Sequence, residues 1–200
     1  MMNKVLISLA VLIVLGGAGY YAWMKVGGEQ TPQPTPAEQP LLNTYATSTY
    51  SIQYPPSYTL DTNYRYEGVP NKPILGVKFV IPGTMATGTN LSADSGVSVE
   101  SLPRALRCTG DIYIYANVRA NDFATASTTY SLATTSGAGA GNLYEEWVYA
   151  VKDSSPCTAV RYMIHSTNLG NYATGTVRAF DRAALLSDFD KIRNSLKLAQ

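Results

Sequence analysis

Glu145, Glu146, Arg161 and His165 are the residues of this chain whose types and spacing could do chemistry. An acid beside the only histidine is the minimum for general acid–base work. Glu145 and Glu146 are adjacent, so in a strand they face opposite sides and cannot form a carboxylate dyad by themselves. One of them can instead meet Arg161 or His165 on the following strand. That pairing has two readings, a cross-strand ion pair shaping a sheet or a polar ligand site. A third reading is a hydrolase using Glu145 or Glu146 and His165 as acid and base, although no G-x-S-x-G elbow is present. Asn168-Leu-Gly170-Asn171-Tyr172 reads as a turn, and alternatively presents Asn171 and Tyr172 for recognition. The candidate ligand-binding set is therefore Glu145, Glu146, Arg161, His165, Asn171 and Tyr172, with no residue assigned to catalysis.

Other chemistries have less support. One histidine makes no multi-histidine metal site, and no His/Asp/Glu spacing compensates, so no metal or other cofactor is expected. Gly137, Gly139 and Gly141 superficially suggest a phosphate cradle. A phosphate loop needs a helix N-terminus behind it, whereas Tyr144–Val151 reads as a strand. Nucleotide binding is not expected. The net charge of +1, with 14% charged residues, provides no basic patch for nucleic acid.

The elements that must position these groups read mainly as strands. Tyr50, Ile52 and Tyr54 alternate with Ser51 and Gln53 before Pro55-Pro56. Tyr58–Asn63 is a short return. Leu75, Val77, Phe79 and Ile81 share one face of a second run. Thr84–Ser95 is a polar loop, and Val97–Leu102 is the next strand. Ile112–Val118 fits a strand or a short helix, and Asp122–Ser127 reads as a turn. Thr129–Ala133 and Leu143–Val151 flank Ser136–Gly141, which suggests a hairpin with a long glycine loop. In Thr158–His165, Val160, Tyr162 and Ile164 lie on one face, with Arg161, Met163 and His165 on the other. The final segment is a helix capped by Asp181, with Leu185, Phe189, Ile192 and Leu196 in one stripe. Asp188 with Lys191, and Asp190 with Arg193, are placed on its solvent side. Strands followed by a packed helix predict an α+β domain.

The first forty residues concern location. Val5–Trp23 is uncharged and, as a helix, spans roughly 28 Å at 1.5 Å per residue, close to a bilayer's hydrocarbon core. Tyr20, Tyr21 and Trp23 favour a headgroup layer. Four prolines between Thr31 and Pro40 favour an extended stalk. The expected organisation is an anchor over residues 1–26, a Pro-rich linker over 27–41 and a domain over 42–200. Lys4 and Lys25 leave the charge bias of orientation nearly tied. Signal-anchor logic and the cysteines place the domain outside, with a cleaved signal peptide as the alternative. Cys108 and Cys157 are the only cysteines, and outside the cytosol such a pair becomes a disulfide. Thirteen of the 15 tyrosines fall in the domain, which suits half-buried sheet surfaces with polar tips.

Tyr50-Ser-Ile-Gln-Tyr-Pro-Pro-Ser-Tyr58 resembles the opening strand of the fold shared by the photosystem II PsbP proteins and the Ran-binding Mog proteins. Phe189-Asp-Lys-Ile192-Arg-Asn-Ser195-Leu196 resembles its closing helix. The runs Gly139–Glu146 and Cys157–Ser166, with Asn171-Tyr172, resemble small, functionally uncharacterised bacterial proteins with a single N-terminal anchor. The resemblance implies an antiparallel sheet packed by a C-terminal helix, a PsbP-like sandwich, preceded by one transmembrane helix. It carries over no activity. The expectation is a domain displayed from a bacterial cell membrane, contacting the bilayer through residues 5–23. It binds an envelope protein or another envelope component as an accessory domain rather than an enzyme.

Overall fold

The computed structural model of the chain describes residues 41–199, so the anchor and most of the linker lie outside the described residues. Among the described residues no helix is long and apolar enough to cross a membrane. The strands are β1 (Asn43–Ala46), β2 (Tyr50–Tyr54), β3 (Thr59–Asp61), β4 (Arg65–Tyr66), β5 (Ile74–Val80) and β6 (Gly96–Leu102). They continue with β7 (Asn121–Ala124), β8 (Thr129–Gly139), β9 (Asn142–Val151), β10 (Cys157–Thr167) and β11 (Lys197–Leu198). Among the described residues two α-helices accompany them, the single turn α1 (Gly83–Ala86) and α2 (Arg182–Asn194).

An eight-stranded antiparallel sheet runs β3-β5-β6-β10-β9-β8-β7, with β4 added on β5. A smaller sheet, β1-β2-β11, pairs the chain's first and last described strands with β2 between them. The architecture is the expected one, a mostly antiparallel sheet with a C-terminal helix.

Alternation along β10 divides the interior in two. Val160, Tyr162 and Ile164 face α2 and enter a cluster with Leu185, Phe189, Ile192, Phe79, Val97, Val99 and the three apolar residues of β2. Tyr162 stacks edge-on against Phe189 at 5.3 Å and its hydroxyl donates to Asp190 at 2.8 Å. On the opposite face Ala159, Val148 and Ala150 pack with Tyr66, Ile74 and Tyr113. The helix reads as its sequence predicts at its N-terminus, where Asp181 accepts from the Ala184 N–H at 2.9 Å. At its C-terminus Ser195 exchanges two hydrogen bonds with the Gln53 backbone, tying α2 to β2.

Cys108 and Cys157 form a disulfide with Cα atoms 5.1 Å apart. The bond fastens the loop before a 3-10 turn, Gly110–Tyr113, to the start of β10. Gly110 is pressed onto the sheet so closely that a Cβ there would lie 2.7 Å from the backbone of Ala133, Ser131 and Val148. Only glycine fits without a shift.

Several local expectations are corrected. The glycine-rich Ser136–Gly141 is not a long loop: β8 continues to Gly139 and the hairpin closes through Ala140 and Gly141 alone. Both turn residues have positive φ, 50° and 81°, as a two-residue hairpin turn requires. The small residues Ser136–Gly139 of β8 are held in register by β9, where Glu145, Tyr144, Leu143 and Asn142 stand opposite them. Asp122 lies in β7 rather than in a turn. Ile112–Val118 is a 3-10 turn passing into irregular chain. Leu75 is 61% exposed, while Ile74 is buried against the second cluster. Arg193, expected in solvent, is buried: its guanidinium lies 4.2 Å from the Tyr149 ring and 5.1 Å from Phe123, with Tyr130 and Tyr162 also facing it. Those rings supply cation–π attraction that compensates lost hydration, and Asp190 approaches at 3.0 Å.

Candidate functional site

Strand pairing brings Glu145, Glu146, Arg161 and His165 onto two adjacent strands, β9 and β10, but divides them between the two faces. In the β9–β10 register Glu146 opposes Met163, Glu145 opposes Ile164, and Tyr144 opposes His165. Glu146, Arg161 and His165 therefore share the face away from α2, and Glu145 lies on the helix side.

Arg161 is fully buried and so is Glu100, its principal partner on β6. Arg161 donates from Nε and Nη2 to the two Glu100 oxygens, both at 2.8 Å, in a bidentate fork. Nη1 donates to Glu146 at 2.5 Å, and Nη2 also donates to the Tyr113 carbonyl at 2.9 Å. The Tyr66 ring covers the guanidinium at 3.4 Å and its hydroxyl donates to Glu146 at 2.8 Å. Ser98 donates to Glu100 at 2.8 Å. Burial alone would lower the Arg161 pKa. Glu100, through charge and hydrogen bonding, together with Tyr66 and Glu146, outweighs that and raises it, so the ion stays charged. Tyr66 itself is pushed above the usual phenol range, first by burial. Arg161 and Glu100 are closed off under Tyr66 and Tyr113, and Glu146 lies at the partly open rim. The chemistry of the cluster is spent holding β4 and the 3-10 turn onto the sheet.

Glu145 is bound by Arg182, the first residue of α2, whose Nε reaches it at 3.2 Å and whose Nη2 reaches it at 2.5 Å. The Arg182 guanidinium also lies 5.6 Å from the Trp147 ring. His165 pairs through Nδ1 with Asp94 at 2.8 Å and stacks on Tyr144 with centroids 4.5 Å apart. Its Nε2 is buried without a hydrogen-bond partner. No hydrogen bond joins His165 to either glutamate among the described residues. Beside it Lys78 is buried, donating to the Asp94 carbonyl at 2.5 Å, and burial lowers its pKa.

Asn171 and Tyr172 lie in and just after a 3-10 turn, Leu169–Asn171, that follows β10. Asn171 donates to the Gly141 carbonyl at 2.9 Å, and the Asn168 backbone N–H donates to the same oxygen at 2.9 Å. The turn therefore clamps the tip of the β8–β9 hairpin, and Tyr172 stands exposed beside the clamp. Leu143 and Leu169, on the elements so joined, are also exposed.

The sequence reading paired a glutamate with Arg161 and missed three partners: Glu100, Asp94 and Arg182. Glu100 carried a usable signal, a single charge inside an otherwise uncharged strand, which burial forces to find a counter-ion. Asp94 and Arg182 reach their partners from loop and helix end, across separations that no local spacing encodes.

No family model matches the chain, and no curated protein matches it. The solved structures similar to it include the following two. A crystal structure from Bacteroides thetaiotaomicron is 10% identical with a TM-score of 0.43, covering 76% of this chain and 45% of that one. This chain thus spans less than half the length of the Bacteroides protein. The solution structure of cyanobacterial PsbP (CyanoP) from Synechocystis is 13% identical with a TM-score of 0.33, covering 86% of this chain and all of that one. Both superpositions are loose, and neither supplies a residue role here.

Proposed function

We propose that this protein is a single-pass membrane-anchored domain, displayed outside the cytoplasm, that binds an envelope protein or another envelope component. It acts as an accessory and not as an enzyme. The observation that carries the reading is the clamped hairpin tip, where Leu143, Leu169 and Tyr172 are each 39–41% exposed on backbone fixed by Asn168 and Asn171. Apolar and aromatic side chains held rigidly at a tip resemble binding anchors, because little ordering entropy is lost on contact. The uncharged Val5–Trp23 segment and the prolines after it support the anchor and stalk. The acid–base reading has no comparable support, since Glu145 and Glu146 are held by Arg182 and Arg161 while His165 is held by Asp94.

Cross-linking the full chain in its own cells tests the proposal. The wild-type chain is expected to capture a discrete envelope species. Leu143→Glu with Tyr172→Ala is expected to reduce that capture by about tenfold or more, while His165→Ala leaves it unchanged. Equal capture by the double variant overturns the tip as the contact. Protease added to intact cells is expected to degrade the domain, and protection overturns its display outside.

A further inference from the structure

The outer edge of β8 is paired with β7 only over Thr129–Leu132. Beyond that no strand pairs with it on this side among the described residues, and although Ala133 is still covered, Thr134 and Ser136–Gly139 are exposed. Lys152 N–H donates to the Thr129 carbonyl, which therefore points toward β9. Backbone direction alternates along an antiparallel strand, so Thr134, Ser136 and Ala138 turn their N–H and C=O groups outward. Unpaired groups of this kind form a template for another strand, and natural edges are normally kept short, charged or interrupted by proline. The other edges here obey that rule. β3 has three residues and carries Asp61, β4 has two and carries Arg65, β1 has four, β11 has two with Lys197, and β7 carries Asp122 bridged to Lys152. The Ala-Thr-Thr-Ser-Gly-Ala-Gly stretch has no charge, no proline and no bulge.

We infer that this edge pairs with the same edge of a second copy, joining two eight-stranded sheets across a two-fold axis. The occupant follows from the composition of the strand. With Ser136 of one copy opposite Ser136 of the other, Thr134 faces Ala138 and Thr135 faces Gly137. Every opposed pair is then small and uncharged, so no like charges meet and no bulky side chains collide. The outward residues of the two copies are also in phase, because Thr134, Ser136 and Ala138 face one another as hydrogen-bonding pairs. This surface is distinct from the hairpin-tip side chains Leu143, Leu169 and Tyr172.

Sedimentation velocity of the full chain in detergent micelles, across the micromolar range, tests the inference. The wild type is expected to show a concentration-dependent dimer. Ser136→Lys places two cations at a spacing of about 5.5 Å across the axis and is expected to weaken dimerisation by about tenfold or more, with unchanged circular dichroism. Ser136→Cys is expected to cross-link under mild oxidation, since that spacing suits a disulfide, while a cysteine at the exposed turn residue Ser127 is not. A wild type that stays monomeric overturns the inference. So does a dimer indifferent to Ser136→Lys, or cross-linking through Ser127→Cys as fast as through Ser136→Cys. Loss of the dimer without loss of envelope capture leaves the proposed tip contact standing, so the two readings fail separately.

Discussion

Arg161 shows how a residue with the chemistry of a site can be consumed by structure. Its guanidinium, itself closed to solvent, meets the buried Glu100, the partly buried Glu146, a carbonyl and an aromatic face. A buried pair of this kind adds little net stability compared with an apolar core, because desolvation offsets the attraction. Deleting one partner is another matter. Arg161→Ala leaves Glu100 and Glu146 facing each other without a counter-ion, and urea unfolding is expected to show a loss of about 3–5 kcal/mol. A loss under 1 kcal/mol would mean that water reaches the cluster. At this scale the sequence was half legible. The opposite facing of Glu145 and Glu146 followed from strand alternation, and the candidate pairing with Arg161 is formed. Arg193 was misread because a 3.6-residue period locates a charged residue at the border of an apolar stripe but does not reveal the aromatic rings of another element that accept it.

At the scale of elements, sequence periodicity worked where burial is one-sided. β2 and α2 each bury one face and leave the other more open, so their patterns were readable before the fold was. It failed for β8, whose Gly, Ala and Ser residues bury too little to leave a pattern and take their conformation from β9. It also failed between Cys108 and β7, where a disulfide and a close-packed glycine hold an irregular segment. That gives the disulfide a measurable weight. Replacing both cysteines by serine is expected to lower stability by about 2–4 kcal/mol. Amide exchange is expected to accelerate first over Arg107–Val118, which the bond fastens directly, and uniform acceleration across the sheet would contradict this local role.

Across the whole molecule the abundance of tyrosine sets the alkaline limit. Tyr50, Tyr58, Tyr64, Tyr66, Tyr113 and Tyr162 have pKa values raised mainly by burial, and Tyr149 is pushed up to about 12. The folded chain therefore holds phenolic protons that the unfolded chain releases near pH 10. The stability they contribute is fully present below that pH and is lost as pH rises through the folded values. Lys78 acts in the opposite sense, since its lowered pKa favours folding as pH approaches its unfolded value, but it is one group against eight, Tyr130 being raised by burial as well. The melting temperature is expected to fall steeply above pH about 10. Absorbance at the tyrosinate band is expected to show the buried tyrosines ionising in step with unfolding rather than before it, and their titration in the folded chain would contradict their burial.

The three-stranded sheet β1-β2-β11 also determines how the domain bears load. The chain enters the described fold at β1, whose first residue, Asn43, pairs with Tyr54 at the open end of the β1–β2 hairpin. β1 is mostly exposed, whereas β2 is fixed by three buried apolar residues and by Ser195. Tension arriving along the preceding chain meets β1 first and peels it from its open end, pair by pair. The strip yields its few residues of slack, about 3.3 Å each, while β2 and everything beneath α2 remain seated. β1 is thus the first strand that such tension detaches, and the load reaches β2 only after that length has been released.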